Sequence, residues 1–256
     1  QRVYAYHLSQ AGLAGRDIMW DCNYRHNLEI RKALEAILSS DANVDHESQQ
    51  YADFEVYAKR VFFANGIHHH YSNKKFAADF DQEWFLSVLD ALEITLSEES
   101  QRAIFDPEFD AKKVNRADGV DLLLASAVNF YAPDITQAEA EAFYATKVDA
   151  DPDRPVSHGL NSRLSRDENG EIYEEVFSAR GRYANSIKEI IGHLEKAKDV
   201  AENEDQAAAL ELLIEYYETG DLTKWDDYNI AWVKTTGGDV DYINGFVEVY
   251  NDPMGY

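Results

Sequence analysis

Residues 160–203 read LNSRLSRDENGEIYEEVFSARGRYANSIKEIIGHLEKAKDVAEN, and two structural periods follow one another within them. In the first half, Asn169-Gly170 separates two short runs. The second run sets Ile172, Glu174 and Val176 against Tyr173, Glu175 and Phe177, the period of two that marks a strand after a hairpin turn. In the second half, Tyr183, Ile187, Ile190, Ile191, Leu194, Ala197 and Val200 recur three and four apart, while Lys188, Glu189, Glu195, Lys196 and Lys198 stay off that stripe. Such spacing predicts an amphipathic helix between Gly181 and Asn203. A lone hairpin is marginal in water, so its strands are expected to pair with something further, which need not lie in this chain.

Elsewhere the helical period dominates. Phe54, Ala58, Val61 and Phe62 form one stripe, and Trp84, Phe85, Val88, Leu89 and Leu92 form the next. Thr136 with Glu139 forms a capping box and Asn203 with Gln206 resembles one, so helices should start near both. About eight to ten helices and one hairpin make the expected fold mostly α, of the α+β class. The stretch DADPDRPVSHG, residues 149–159, holds two of the five prolines and is the strongest linker candidate; VKTTGGDV, residues 233–240, is the second. The expected division is therefore a helical part over 1–150 and a hairpin-plus-helix part over 151–256.

The chain has 256 residues, enough for one large domain or two small ones, and its 45% hydrophobic content is ample for a core. Its net charge of -24, from 24 Lys+Arg against 48 Asp+Glu, excludes nucleic acid and anionic membrane as expected partners and suits cationic ligands better. A single cysteine, Cys22, rules out an internal disulfide framework. No apolar run approaches the roughly 20 residues of a membrane helix. The first residues carry no signal-peptide pattern, which a chain trimmed at its start would have lost, and a cytoplasmic location is expected.

Two histidine stretches invite a metal and are set aside. His68, His69 and His70 are consecutive, so they cannot all face one ion, and no Cys, Asp or Glu stands at ligand spacing; a polar loop after the helix carrying Phe62 is expected instead. His46-Glu47-Ser48-Gln49-Gln50 begins like a zinc-peptidase helix, but the positions of the second histidine hold Gln50 and Tyr51. That segment should open a helix with Asp45 or His46 near its cap. The final residues, YINGFVEVYNDPMGY (242–256), are too apolar and aromatic for a fraying end and read as a chain cut in mid-structure.

Four stretches together carry a resemblance. QRVYAYHLSQAGLAGRD at the start, YAKRVFFANGIHHHYSNKKF, the hairpin-and-helix segment above, and WVKTTGGDVDYINGFVEVYNDPMG at the end are similar in order and spacing to the dipeptidyl peptidase III family of zinc-dependent peptidases. The histidines of the second stretch depart from the family's usual residues. The resemblance implies the lower, N-terminal lobe of a two-lobed zinc peptidase, whose hairpin belongs to a sheet completed by later sequence. It implies zinc in the full-length parent and none in this chain, because the family's His-Glu-x-x-x-His helix comes later. As partners it implies an oligopeptide with a free N-terminus and the C-terminal catalytic lobe of the same protein. Carried over by position, Glu248 would accept the peptide's ammonium, Tyr250 would donate to the scissile carbonyl or its oxyanion, and Trp232 and Tyr71 would line substrate subsites. The residue types suit those roles: a sheltered carboxylate holds an ammonium by a charge-assisted hydrogen bond, and a phenol can donate to a developing oxyanion. A non-catalytic helical domain that binds peptide or protein is the alternative reading of the same residues.

Overall fold

The computed structural model describes residues 1–40, 44–244 and 251–255. They form ten α-helices and one two-stranded antiparallel sheet, the mostly α architecture expected. The chain divides into two compact units, one made of Gln1–Ile18 with Phe130–Tyr256 and the other of Met19–Asn129. The divisions thus fall near residues 18 and 129, whereas the expected linker, 149–159, stays within one unit. Asp149 there accepts from the Val156 N–H and from His158, each at 3.0 Å, and Arg154 pairs with Asp227 at 2.7 Å.

The continuous unit, Met19–Asn129, holds α3 (Asn27–Leu38), α4 (Gln49–Ala64), α5 (Gln82–Ala91) and α6 (Glu98–Phe105). The stripes read from sequence converge on its core: Phe54, Ala58, Val61, Phe85 and Leu89 are buried. Phe54, Phe80 and Phe85 form an aromatic cluster with ring centroids 5.5–6.1 Å apart. The cap of α4 is Ser48, whose hydroxyl accepts from the Tyr51 N–H at 3.2 Å, rather than Asp45 or His46. Asp45 is already engaged, its carboxylate with the Glu47 N–H and its carbonyl with the Ser48 hydroxyl.

The discontinuous unit begins with α1 (Arg2–Ala14) and returns at Phe130 for α7 (Gln137–Tyr144), the hairpin β1 (Ser162–Arg166) and β2 (Ile172–Val176), and α8 (Ala184–Lys198), α9 (Glu204–Thr219) and α10 (Leu222–Lys234). Here α1 packs on α8, α8 on α9 and α9 on α10. Ile187, Ile190, Ile191, Leu194 and Ala197 of α8 are buried as their spacing requires. The helix starts one residue after Tyr183, which is left-handed at φ 62°, and ends before Val200, which is 40% exposed.

The hairpin pairs Ser162 with Val176 through to Arg166 with Ile172. Its loop closes at Asp167 and Glu171, and only Gly170 within it has positive φ, 87°, which makes it a three-residue turn. The further partner that the strands need is found for β1 inside the chain. Leu164 donates to Phe130 O at 2.9 Å and Ala132 donates to Leu164 O at 2.8 Å, so 130–132 runs parallel along its free side.

Candidate functional site

The four site residues implied by resemblance fare differently. Glu248 and Tyr250 lie outside the described residues. Trp232, near the end of α10, is half-buried, and its indole N–H donates to Asp241 Oδ1 at 3.1 Å. Tyr71 belongs to the other unit and is 84% exposed. Its ring lies 4.3 Å from that of His70, and its N–H donates to His69 Nδ1 at 3.2 Å. Both aromatics therefore have a face open to solvent, as a side chain lining a subsite needs.

Around Trp232 the geometry is built from α9, α10 and the loop that follows. Asp221 caps α10 by accepting from the Thr223 N–H at 2.8 Å. Trp225, Tyr228 and Trp232 stand three and four apart, and Trp225 reaches across to Tyr216 of α9 with centroids 5.1 Å apart. Tyr228 is buried and donates to the Tyr242 hydroxyl at 3.3 Å. Burial pushes the phenols of Tyr4 and Tyr228 up to about 12 and that of Tyr242 well above the ordinary tyrosine range. All three therefore keep their protons, and their donor capacity, at any neutral pH.

The loop itself is held by side chains that no local sequence signal identified. A single oxygen of Glu202 accepts from the backbone N–H of both Asp239 and Val240, each at 2.9 Å. The Val240 bond is the leading cause holding the Glu202 carboxyl below its usual range. Buried Gln206 donates to Val240 O at 3.1 Å and to Glu202 at 3.2 Å. Further on, Tyr217 donates to Asn244 Oδ1 at 3.2 Å. Beyond residues 245–250, Tyr131 donates to the buried carboxylate of Asp252, 2.9 and 3.1 Å from its two oxygens. The one signal in the sequence that could have pointed here is Gly237-Gly238, since a Cβ on Gly238 would land on the Gln206 amide.

The triple histidine lies in the loop expected after α4, with His69 and His70 part-exposed, but His68 departs from a surface reading. His68 is 2% exposed, with Nε2 2.8 Å from Asp110 O, and its ring meets Tyr24 edge-on at 5.1 Å. His69 accepts from the Tyr71 and Ser72 N–H groups, and the His70 ring stacks on it at 4.7 Å. Among the described residues no group of three or more His, Cys, Asp or Glu could hold a metal ion, so the residues described do not fit zinc.

Comparison with known proteins bears on the region just described. Dipeptidyl peptidase 3 of Mus musculus is 29% identical over 140 residues, 54% of this chain and 19% of that protein. Dipeptidyl peptidase 3 of Nematostella vectensis is 34% identical over 76 residues, 30% of this chain and 10% of that protein. The structure of DPP III from Caldithrix abyssi matches with a TM-score of 0.57 at 17% identity, covering 93% of this chain and 33% of that one. The matched lengths are thus small fractions of those relatives, a fifth or less of the curated ones and about a third of the solved one. The model of peptidase family M49 matches residues 112–256, more than half of the chain and the whole of the region containing β1, β2 and the α8–α10 helices. On that match the chain belongs to peptidase family M49 and is a relative of the dipeptidyl peptidases III.

Proposed function

We propose that this chain is the peptide-holding part of a dipeptidyl peptidase that removes dipeptides from the N-termini of oligopeptides. The observation that carries the reading is the family match over residues 112–256, within which the Gly-Phe-x-Glu-x-Tyr pattern of residues 245–250 falls. An enzyme that counts two residues from an N-terminus must recognise a free ammonium. Glu248 supplies the carboxylate for it, and such a charge-assisted hydrogen bond is worth about 1.5 to 3 kcal/mol. Tyr250 is assigned the donor to the scissile carbonyl, and Trp232 and Tyr71 the apolar surfaces for side chains of the peptide. On either side of these residues in the sequence, the Asp239 and Val240 backbone is held by Glu202 and the Asp252 carboxylate by Tyr131. The metal chemistry that the family supplies for hydrolysis is not assigned to any described residue. The work derived for this chain is binding, orientation and hydrogen-bond donation.

Calorimetric titration of the chain with a tetrapeptide, as the free amine and as its N-acetyl form, tests the reading. The free amine should bind at least about tenfold more tightly, the equivalent of about 1.4 kcal/mol, and Glu248→Gln should abolish the difference. Equal affinity of the wild-type chain for both peptides would sink it.

A further inference from the structure

Helices α1 and α8 pack on each other, and on each a row of residues three and four apart carries a histidine at its middle: Tyr4, His7 and Ala11 on the first, Ile190, His193 and Ala197 on the second. The outer members of both rows are buried, as a helix seam requires, and the two histidines are half-buried. Their imidazoles meet across the seam, with centroids 6.0 Å apart and planes inclined by 32°. Tyr6 lies edge-on to His7 at 5.3 Å.

A polar atom enclosed in such a seam is ordinarily hydrogen-bonded. These are not. The Nδ1 atoms of His7 and His193 are both shut off from solvent and meet no hydrogen-bond partner, whereas the two Nε2 atoms are not enclosed in this way. With the proton on Nε2, where water can receive it, each ring keeps a lone pair on the enclosed Nδ1. Two acceptors then share one seam with no donor for either, and an electrophile between them would relieve both.

We infer that His7 and His193 form a two-nitrogen site for a soft monovalent cation, Cu(I), that bridges α1 and α8 through both Nδ1 atoms. The ring separation suits it. Two metal–nitrogen bonds of about 2 Å in line, with each nitrogen roughly 1 Å from its ring centre, place the centroids about 6 Å apart. Ligand number selects the ion. Zinc takes at least three protein ligands, and among the described residues no group of three or more His, Cys, Asp or Glu could supply them. Water does not readily make up the number, because both Nδ1 atoms are enclosed. Cu(I) accepts two collinear donors, and imidazole is a good copper ligand. The site exists only while the two helices are together, so the bound ion stabilises their contact. It uses none of the residues assigned to the peptide and is independent of that assignment.

The probe is Ag⁺, which takes the same linear pair of nitrogens and needs no reductant, added to the chain in chloride-free buffer and followed by anaerobic Cu(I). One equivalent should shift the Nδ1 resonances of His7 and His193 in nitrogen NMR, leave those of His46 and His158 in place, and raise the unfolding temperature. His7→Gln and His193→Gln should each weaken binding by about 100-fold or more and cancel that rise, since losing a ligand costs at least as much as losing the partners that support it. Should either variant not fold, the wild-type spectrum still decides, because metallation at Nδ1 and at Nε2 moves different nitrogens. An ion held at Cys22, or at His69 and His70, would bind both variants as it binds wild type and would overturn the inference. So would His7 and His193 resonances that do not move at one equivalent, the result expected if a water molecule bridges the two nitrogens instead.

Discussion

Replacing His68 by glutamine should remove a measurable part of the acid sensitivity of the Met19–Asn129 unit. His68 Nε2 faces a carbonyl, Asp110 O, which can only accept, so the ring is the neutral Nε2–H tautomer and its buried Nδ1 meets no partner. Burial is the main cause that lowers its pKa to about 4 from an ordinary value of 6.5, with Lys113 and Lys75 adding to it and the Asp110 carbonyl and carboxylate opposing it. Nearby, His26 is lowered too, first by burial and then by Arg25. A base whose pKa falls on folding is neutral in both states above pH 6.5, where its contribution is fully present. As pH drops from 6.5 toward 4 the unfolded chain takes the proton first, and stability is lost over that window. A shift of about 2.5 units at 1.36 kcal/mol each amounts to about 3 kcal/mol for this one imidazole. Glutamine keeps an N–H donor within reach of Asp110 O and does not titrate. Urea unfolding between pH 7.5 and 4, followed by hydrogen exchange in α3 and α4, should show wild type losing about 3 kcal/mol more than His68→Gln. Parallel pH profiles for the two proteins would refute the argument that this histidine is held neutral by its surroundings.

Two further substitutions probe the scaffold. Gly66→Ala places a Cβ at φ 151° directly on the side chain of Asn27, itself buried and holding the Ile67 N–H at 3.3 Å and the Trp20 carbonyl at 3.0 Å, so a loss on the order of 3 kcal/mol or more is expected. A urea midpoint within error of wild type would show that the Asn27 contacts give way freely. Thr136→Ala removes a capping box at the start of α7 and should cost about 1 kcal/mol. The Glu139 carboxyl, held at about 2 chiefly by the Thr136 N–H and hydroxyl and then by Arg166, should then titrate at higher pH, and an NMR titration showing no change would contradict the cap.

Local features were legible in the sequence and long-range ones were not. The α8 stripe, the Thr136 and Asn203 caps and the hairpin all depend on neighbours within a few residues, and the structure has each of them. Even locally the exact residue was missed: Asp45 and His46 stand near the start of α4, but the cap is Ser48, which adjoins its first residue, while Asp45 accepts from the Glu47 N–H. The division of the chain escaped because composition records flexibility, whereas the boundary is set by α1 packing on α8. His68 looked like surface because three histidines in a row are polar, yet Tyr24 and the Asp110 carbonyl give one of them an interior place. The contact of Glu202 with the Asp239 and Val240 N–H groups joins residues 37 and 38 positions apart through backbone groups, and in the sequence only Gly237-Gly238 hints at it. Of the candidate site, the aromatic Trp232 and the terminal motif were visible through family likeness alone.

The return of the chain to its first helix has a consequence for biosynthesis. Residues Met19–Asn129 are contiguous and can close on themselves as soon as they leave the ribosome, since their core draws on no later segment of the same unit. Helix α1 emerges before them yet packs on α8, which is made only after that unit is complete. Until then Tyr4 and Ala11, buried in the finished protein, lack the later segments that enclose this helix, Tyr4 lying against Gln206, Ala209 and Trp232. The inserted unit is therefore the part that can fold early, and the unit that contains the Trp232 loop must wait for both of its ends, a long-range closure that slows folding and leaves the nascent first helix a natural client for chaperones.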